Sequence, residues 1–126
     1  MSPWLNTRRT LGEQGECLAA DFLTAQGYTI DARNVRFPVG EIDLVAWERG
    51  TLCFVEVRSA SSTEWGGPLA SVTDRKRRRL IRAARWHLNR LAALPEEIRF
   101  DIVAVQWRPD GAPAVELLRG AFDAGE

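Results

Sequence analysis

The chain has 126 residues and a formal net charge of zero, with 17 basic and 17 acidic residues. This length predicts one domain over residues 1–126, and 45% apolar residues suffice for a buried core. Zero net charge argues against a general polyanion-binding protein, and no apolar run is long enough for a transmembrane helix. The N-terminus lacks the apolar stretch of a secretion signal, so we expect a cytoplasmic protein with reduced thiols at Cys17 and Cys53.

The first predicted element is a helix over residues 9–26, followed by Gly27, a residue suited to the left-handed position after a helix. Apolar residues recur in it at close to the helical period. Its predicted apolar face consists of Leu11, Leu18, Phe22 and Ala25. Glu16 lies at the margin of this face, where its side chain would reach the edge of a sheet, while Glu13 lies further towards solvent.

Three strands follow, and a loop separates the last of them from a second helix. The strands are predicted over residues 28–36, 41–48 and 51–59. The loop covers residues 60–72, which are mainly small and polar and include glycine and proline. Trp65 either anchors this loop or forms a lid or wedge beside a site.

The second and third strands form a hairpin that brings two acidic residues together. Arg49-Gly50 is the predicted two-residue turn, with Gly50 supplying the positive φ that a tight turn needs. This turn pairs Asp43 with Glu56, at a Cβ separation of about 5 Å. Like charges at that spacing destabilise a sheet, so a positive charge is expected beside them. A longer loop would move the pair to a diagonal or turn one strand over.

Two kinds of cation suit this acid pair. The first is Arg58, which shares a strand face with Glu56. In that case Arg58, Asp43 and Glu56 would form an ion-pair network that only fixes the register of the two strands. Alternatively, a divalent cation such as Mg²⁺ takes the carboxylate oxygens, with the backbone carbonyl of Val57 as a further ligand. Glu16 would then offer a third acid from the first helix. A cation held in this way activates water and offsets charge in phosphoryl transfer.

The second helix, predicted over residues 73–93, has a high density of basic residues. Ser71 or Thr73 can cap its start, and Pro95 ends it. The predicted core stripe is Leu80, Ile81, Ala84, Leu88 and Leu91. The residues pointing away from that stripe are Arg75, Arg78, Arg79, Arg82, Arg85 and Trp86. Arg77 instead falls on the core side of the first turn and would emerge near the edge of the sheet.

The outer arginines form either a solvated helix face or a stripe that binds phosphates. The acidic residues that usually balance such a face at i,i+4 are missing, and their absence favours phosphate binding.

Two further strands are predicted, over residues 98–107 and 114–118, separated by a turn at 109–111. The element order is therefore α-β-β-β-α-β-β. This order predicts an α/β fold with a mixed central sheet flanked by helices.

Several segments in order resemble a known family. They are GEQGECLAADFL, GEIDLVA, FVEVR, SVTDRKRRRL and RFDIVAV. They resemble the small bacterial YraN-like proteins, a family of unsettled function, over nearly the whole chain. That family is similar in its core to the PD-(D/E)XK nuclease superfamily and its Holliday-junction resolvases. The resemblance implies a restriction-endonuclease-like core and a nuclease that uses Mg²⁺ or Mn²⁺, with DNA favoured over RNA.

The resemblance also implies roles for the matching residues. Asp43 stands at the first metal-binding Asp of the superfamily, and Glu56 at the acidic position of its (D/E)XK element, with Val57 as the middle residue. Glu16 matches an acid often found on the first helix. The start of the second helix can supply an auxiliary polar residue. The predicted nucleic-acid-binding residues there are Arg75, Lys76, Arg77 and Arg79.

The motif departs from the superfamily at Arg58, which stands where a lysine is usual. Lysine can lose a proton and help a water molecule attack, whereas arginine effectively cannot. Arg58 can still hold a phosphate or stabilise charge. We therefore expect Arg58 to contribute to catalysis in this second way, with the metal activating the water.

Three functions are compatible with the sequence. The first is a metal-dependent endonuclease acting on structured or branched DNA, which the acids Asp43, Glu56 and Glu16 favour. The second is a nucleic-acid-binding protein on a nuclease fold, and the third is a protein-interaction or dimer module. Zero net charge and Arg58 favour the second and the third function over the first. A homodimer would suit a symmetric branched substrate.

Overall fold

The computed structural model describes residues 10–61 and 72–124 and has an α/β architecture. Its elements are α1 (Leu11–Ala25), β1 (Thr29–Phe37), β2 (Gly40–Glu48), β3 (Thr51–Ala60), α2 (Asp74–Asn89), β4 (Glu97–Gln106) and β5 (Ala114–Phe122). The predicted order is confirmed. Neither helix combines the length and the hydropathy needed to cross a membrane. Residues 62–71 lie outside the described residues, so the roles considered for Trp65 and Ser71 stay predictions.

The five strands form one sheet in the order β1-β2-β3-β4-β5. β3 and β4 run parallel, because α2 returns the chain before β4 begins, and all other neighbours are antiparallel. One core cluster joins α1 to the sheet through Leu23 and Val55, and a second joins α2 through Leu80 and Phe54. Val55 and Phe54 are adjacent in β3 and face opposite ways, so the helices cover opposite faces. This mixed sheet is consistent with a restriction-endonuclease-like core.

The ends of α1 follow from its capping residues, but its buried face differs from the prediction. Thr10 caps the helix by accepting the Glu13 N–H at 3.1 Å, and Gly27 follows it with φ 101°, as predicted. Leu11, assigned to the apolar face, is 46% exposed. The residues actually buried are Gln14, Gly15, Ala19, Ala20 and Leu23. Small side chains let the helix approach the sheet closely, so the larger apolar residues lie on its flanks.

The β2–β3 hairpin has the predicted register over its described pairs. Pairing extends from the turn to Leu44 opposite Val55. The turn is Arg49-Gly50, as predicted, but the positive φ is at Arg49 (58°) and not at Gly50. The prediction for Gly50 was wrong, because Arg49 supplies the positive φ of this tight turn.

The start of α2 is as predicted, and its end comes earlier. Of the two candidate caps, Thr73 is the one observed, and its hydroxyl accepts the N–H of Lys76 at 3.3 Å. The helix ends at Asn89 because the N–H groups of Arg90 and Leu91 bond three residues back, at 3.1 Å. This tighter turn ends the α-helix before Pro95 could do so.

A buried charge network, which the sequence analysis did not find, ties β4 to β5. Asp101 is 0% exposed, and its carboxylate accepts from the Tyr28 hydroxyl at 2.8 Å and from the Arg99 guanidinium at 2.8 and 3.0 Å. It also accepts the Gly120 N–H at 2.9 Å, where the β4–β5 register is irregular. Because this bond keeps the strand pairing satisfied, β5 continues to Phe122, beyond its predicted end.

Candidate active site

The acid pair lies where the paired part of the β2–β3 hairpin stops. Leu44 and Val55 are the last paired residues, and the next residue on each strand is Asp43 and Glu56. A carboxylate oxygen of Asp43 accepts the backbone N–H of Val57 at 2.8 Å. The Asp43 side chain therefore replaces a backbone acceptor at the end of the ladder, which holds its carboxylate against β3.

Burial raises the pKa of both acids of the pair. Burial and, next, the charge of Glu56 raise the pKa of Asp43 from 3.8 to about 7. Burial also raises the pKa of Glu56, but Arg58, a hydrogen bond from Asp43 and Lys76 oppose this rise. The hydrogen bond between the two side chains raises the pKa of Asp43 and lowers that of Glu56, so Asp43 is the acid of the pair that takes up a proton more readily.

Arg58 is the nearest cation to the pair. Its guanidinium Nη1 is 3.7 Å from Glu56 Oε1, and the two side chains are 27% and 16% exposed. The pKa values of Asp43 and Glu56 are both raised, chiefly by burial, although Arg58 lowers that of Glu56. The predicted ion-pair network is therefore present in part, as the contact between Arg58 and Glu56.

Glu16 approaches the pair from α1, as predicted. Burial and then the charge of Asp43 raise the pKa of Glu16. A hydrogen bond with the Asn34 side chain works in the opposite direction. Asn34 lies in β1 with φ 50°, an unusual value for a residue other than glycine. Asn34 was not among the residues predicted for the site, although an asparagine inside a strand is itself a signal of irregular backbone.

Gly15 is what allows α1 to bring Glu16 this close. A Cβ at Gly15 would overlap the hydroxyl of Ser59 on β3. The helix and the strand are therefore so close here that a larger residue at position 15 would require the Ser59 side chain to move. Glu16, the next residue along, is thereby placed at the rim of the acid pair.

Two hollows meet at the acid pair, one on each side of the sheet, and Asp43, Glu56 and Arg58 line both. The hollow on the α1 side has a volume of about 440 Å³. Its remaining lining residues are Leu11, Gly12, Glu16, Val57, Ser59, Ala60, Ser61 and Trp107. The hollow on the α2 side has a volume of about 210 Å³. Its remaining lining residues are Glu41, Lys76, Arg79 and Leu80.

The basic residues at the start of α2 are divided between two places. Lys76 and Arg79 line the α2-side hollow, and burial followed by the nearby charge of Arg58 lowers the pKa of Lys76. Arg77 instead places its guanidinium 5.6 Å from the centre of the Phe122 ring. Arg75 is exposed and does not line either hollow. The structure therefore brings Lys76 and Arg79 to the acid pair, and Arg75 and Arg77 elsewhere.

The acid pair offers donors that suit a hard divalent cation. Its donors are carboxylate oxygens, the atoms that hard cations prefer. No three His, Cys, Asp or Glu side chains form a ready-made cluster among residues 10–61 and 72–124. Two carboxylates are still compatible with Mg²⁺ or Mn²⁺, which commonly bind one or two carboxylates and complete their shell with water and substrate phosphate.

Comparison with known proteins identifies the family but not an activity. The model of the uncharacterised protein family UPF0102 matches residues 15–105. A UPF0102 protein of Desulfosudis oleivorans is 47% identical over 120 residues, which cover 95% of each chain. A UPF0102 protein of Symbiobacterium thermophilum is 50% identical over 116 residues, covering 92% of this chain and 98% of the relative. The chain therefore belongs to the UPF0102 family, which confirms the predicted YraN-like membership.

Proposed function

We propose that this protein is a metal-dependent endonuclease that acts on structured or branched nucleic acid, with DNA favoured over RNA. The observation that carries the proposal is the half-buried acid pair, Asp43 and Glu56, which lines a hollow together with the cations Arg58, Lys76 and Arg79. A site that binds phosphate without reacting has no use for two carboxylates facing it, because they repel the ligand. A divalent cation between acids and phosphate removes that conflict.

Asp43 and Glu56 would hold Mg²⁺ or Mn²⁺, with the backbone carbonyl of Val57 as a candidate further ligand. When bound, the cation supplies an activated water molecule and offsets negative charge on the phosphate. The Val57 N–H holds Asp43 in place through its 2.8 Å hydrogen bond. Glu16, positioned by Asn34, faces the pair from α1 and would orient or deprotonate the water.

The cations of the site have different tasks. Arg58 would bind a phosphate oxygen through its guanidinium and stabilise the charge that develops on it. Lys76 lines the same hollow, and burial and Arg58 lower its pKa. Lys76 is therefore the cation best suited to transfer a proton, for example to the departing oxygen. In this proposal α2 supplies Lys76 near Arg58, and Arg58 stands on β3 where the superfamily motif usually has its lysine.

The alternative is a module that binds nucleic acid or a protein without cutting. Arg58 in place of lysine favours it, as does the exposed basic face of α2, since neither needs catalysis to explain it. The two proposals differ in what they require of Glu56. Catalysis needs its charge, whereas binding to a polyanion would become tighter without it.

The test is cleavage of labelled four-way junction, flap, duplex and single-stranded DNA in Mg²⁺ and in Mn²⁺. Wild type is compared with Glu56→Gln and with Glu41→Gln, a control at an exposed acid of the same hollow. We expect cleavage by wild type and by Glu41→Gln, none by Glu56→Gln, and none in EDTA. If no protein cuts any substrate and Glu56→Gln binds DNA more tightly than wild type, the binding module is the correct function.

A further inference from the structure

The two hollows beside the acid pair differ in charge. The α2-side hollow contains Lys76 and Arg79 in addition to the shared Arg58. Among residues 10–61 and 72–124, the α1-side hollow is lined by one cation, Arg58 at the border, and by the acids Glu16, Asp43 and Glu56, which disfavour a phosphate. A phosphate is expected to sit where cations surround it, so the α2 side suits the backbone of a nucleic acid. The α1 side suits a neutral group.

The α1-side hollow also has the size of a small-molecule pocket. Its volume is about 440 Å³, within the roughly 300–1,000 Å³ of typical ligand sites. The α2-side hollow, at about 210 Å³, is below that range. A phosphate group fits the smaller hollow, whereas only the larger one has room for a base and its sugar.

The wall of the α1-side hollow combines apolar surface with polar groups that lack partners. Leu11 and Trp107 contribute apolar surface. The Ser59 hydroxyl and the Trp107 indole N–H are buried and have no hydrogen-bond partner among the described residues. Unpaired buried polar groups are costly, and a ligand with acceptors on a ring or a sugar would pair with them once the wall shifts enough to expose them.

We propose that the α1-side hollow is a nucleoside pocket, which receives one unpaired nucleotide next to the phosphate that is cut. The proposal rests on the proposed function and specifies its substrate. A base inside a duplex is stacked and paired, so it cannot enter a pocket without leaving the helix. Substrates are therefore nucleic acids with unpaired nucleotides at the cleavage point, such as single strands, flaps and open junctions, and an intact linear duplex is not cut.

The pocket can be filled without disturbing the fold. Gly12 lines the hollow on the exposed first turn of α1, and a Cβ there would only touch the Thr10 hydroxyl, at 3.8 Å. Gly12→Leu therefore adds bulk to the pocket. Gly50→Leu is the matched control, because Gly50 is also exposed and lies at the β2–β3 turn, where a Cβ would be 4.0 Å from Glu96.

The experiment measures affinity for a fluorescent single strand and for its perfect duplex, in Ca²⁺ buffer. We expect Gly12→Leu to weaken single-strand binding about tenfold or more, the range expected for loss of one bound base. Duplex binding should be unchanged, and Gly50→Leu should match wild type with both probes. Thermal melting confirms folding, and Ser61→Leu repeats the test from the other wall if Gly12→Leu is unstable.

Two results would overturn the pocket and leave the proposed function standing. One is that Gly12→Leu and Ser61→Leu both bind single-stranded DNA with the affinity of wild type. The other is that wild type cleaves intact duplex as fast as it cleaves single-stranded DNA. Failure of wild type to bind or cut any nucleic acid would instead remove the proposed function, and the pocket with it.

Discussion

Replacing Asp43 by asparagine should make the metal-free protein more stable at high pH. The carboxyl has a pKa of 3.8 ordinarily and about 7 when folded, because of burial and the charge of Glu56. Between these two values the folded chain binds a proton that the unfolded chain has lost. The folding stability contributed by this group is therefore complete below pH 3.8 and falls as the pH rises towards 7.

The magnitude follows from the size of the shift. A change from 3.8 to about 7 spans about three pKa units. At about 1.4 kcal/mol per unit, ionised Asp43 costs the fold at most about 4 kcal/mol. Asparagine has no charge to bury, and its side-chain oxygen can still accept the Val57 N–H. We expect the free energy of unfolding of Asp43→Asn to exceed that of wild type by about 2–4 kcal/mol at about pH 9, and to be almost equal to it at about pH 4.

Urea unfolding followed by tryptophan fluorescence in EDTA measures this difference at both pH values. Asp21→Asn, an exposed acid on α1, is the matched control and should not differ from wild type. Adding Mg²⁺ should stabilise wild type and leave Asp43→Asn unchanged, since only an intact site gains stability from its ligand. If Asp43→Asn is less stable than wild type at high pH in EDTA, the acids are a structural ion pair with Arg58 and our reasoning is wrong.

Three other changes test the structure around the site. Gly15→Ala should lose about 1–3 kcal/mol of stability and most of the cleavage activity, because its Cβ meets the Ser59 hydroxyl. Adding Ser59→Ala should restore much of both, as measured by thermal melting and by cleavage rate. Asp101→Asn should lower the free energy of unfolding by about 3 kcal/mol or more in urea, since it breaks a buried charge network. Stability equal to that of wild type would show that the network contributes nothing. Lys76→Ala should weaken DNA binding and reduce its salt dependence, whereas Arg77→Ala should lower the melting temperature and leave DNA affinity unchanged. The reverse result would contradict the assignment of Lys76 to the site and of Arg77 to the contact with Phe122.

The sequence predicted the elements and the acid pair for a simple physical reason. Strand register follows from the length of the turn, so Arg49-Gly50 sets the pairing as far as Leu44 opposite Val55, and Asp43 and Glu56 are the residues that follow on the two strands. The same reasoning placed Arg58 on the face of Glu56, and the structure has the two side chains 3.7 Å apart.

The contribution of α1 was harder to predict because it depends on packing between distant residues. A helical pattern of large apolar residues pointed to Leu11, but the contact with the sheet is made by small residues, among them Gly15. Their role depends on what lies opposite, and Ser59 is far away in sequence. Asn34 is a similar case, because its positive φ and its bond to Glu16 exist only once β1 and α1 are assembled.

Arg77 shows the limit of a helical wheel. The wheel correctly put Arg77 on the core side of α2 and near the edge of the sheet. It did not show that Phe122 of β5 would lie beneath the guanidinium, because a wheel carries no information on which strand is adjacent. The division of Lys76 and Arg77 between the site and the sheet edge therefore required the structure.

The most direct test of the central claim, that the acid pair is a divalent cation site, is calorimetric titration of Mn²⁺ at neutral pH. The titration is repeated in buffers with different ionisation enthalpies. We predict one site in wild type whose occupation releases a proton, because the cation displaces the one held by Asp43. Asp43→Asn and Glu56→Gln should each bind at least about tenfold more weakly, and Asp43→Asn without proton release. Equal affinity in all three proteins, or no binding by wild type, would contradict the account.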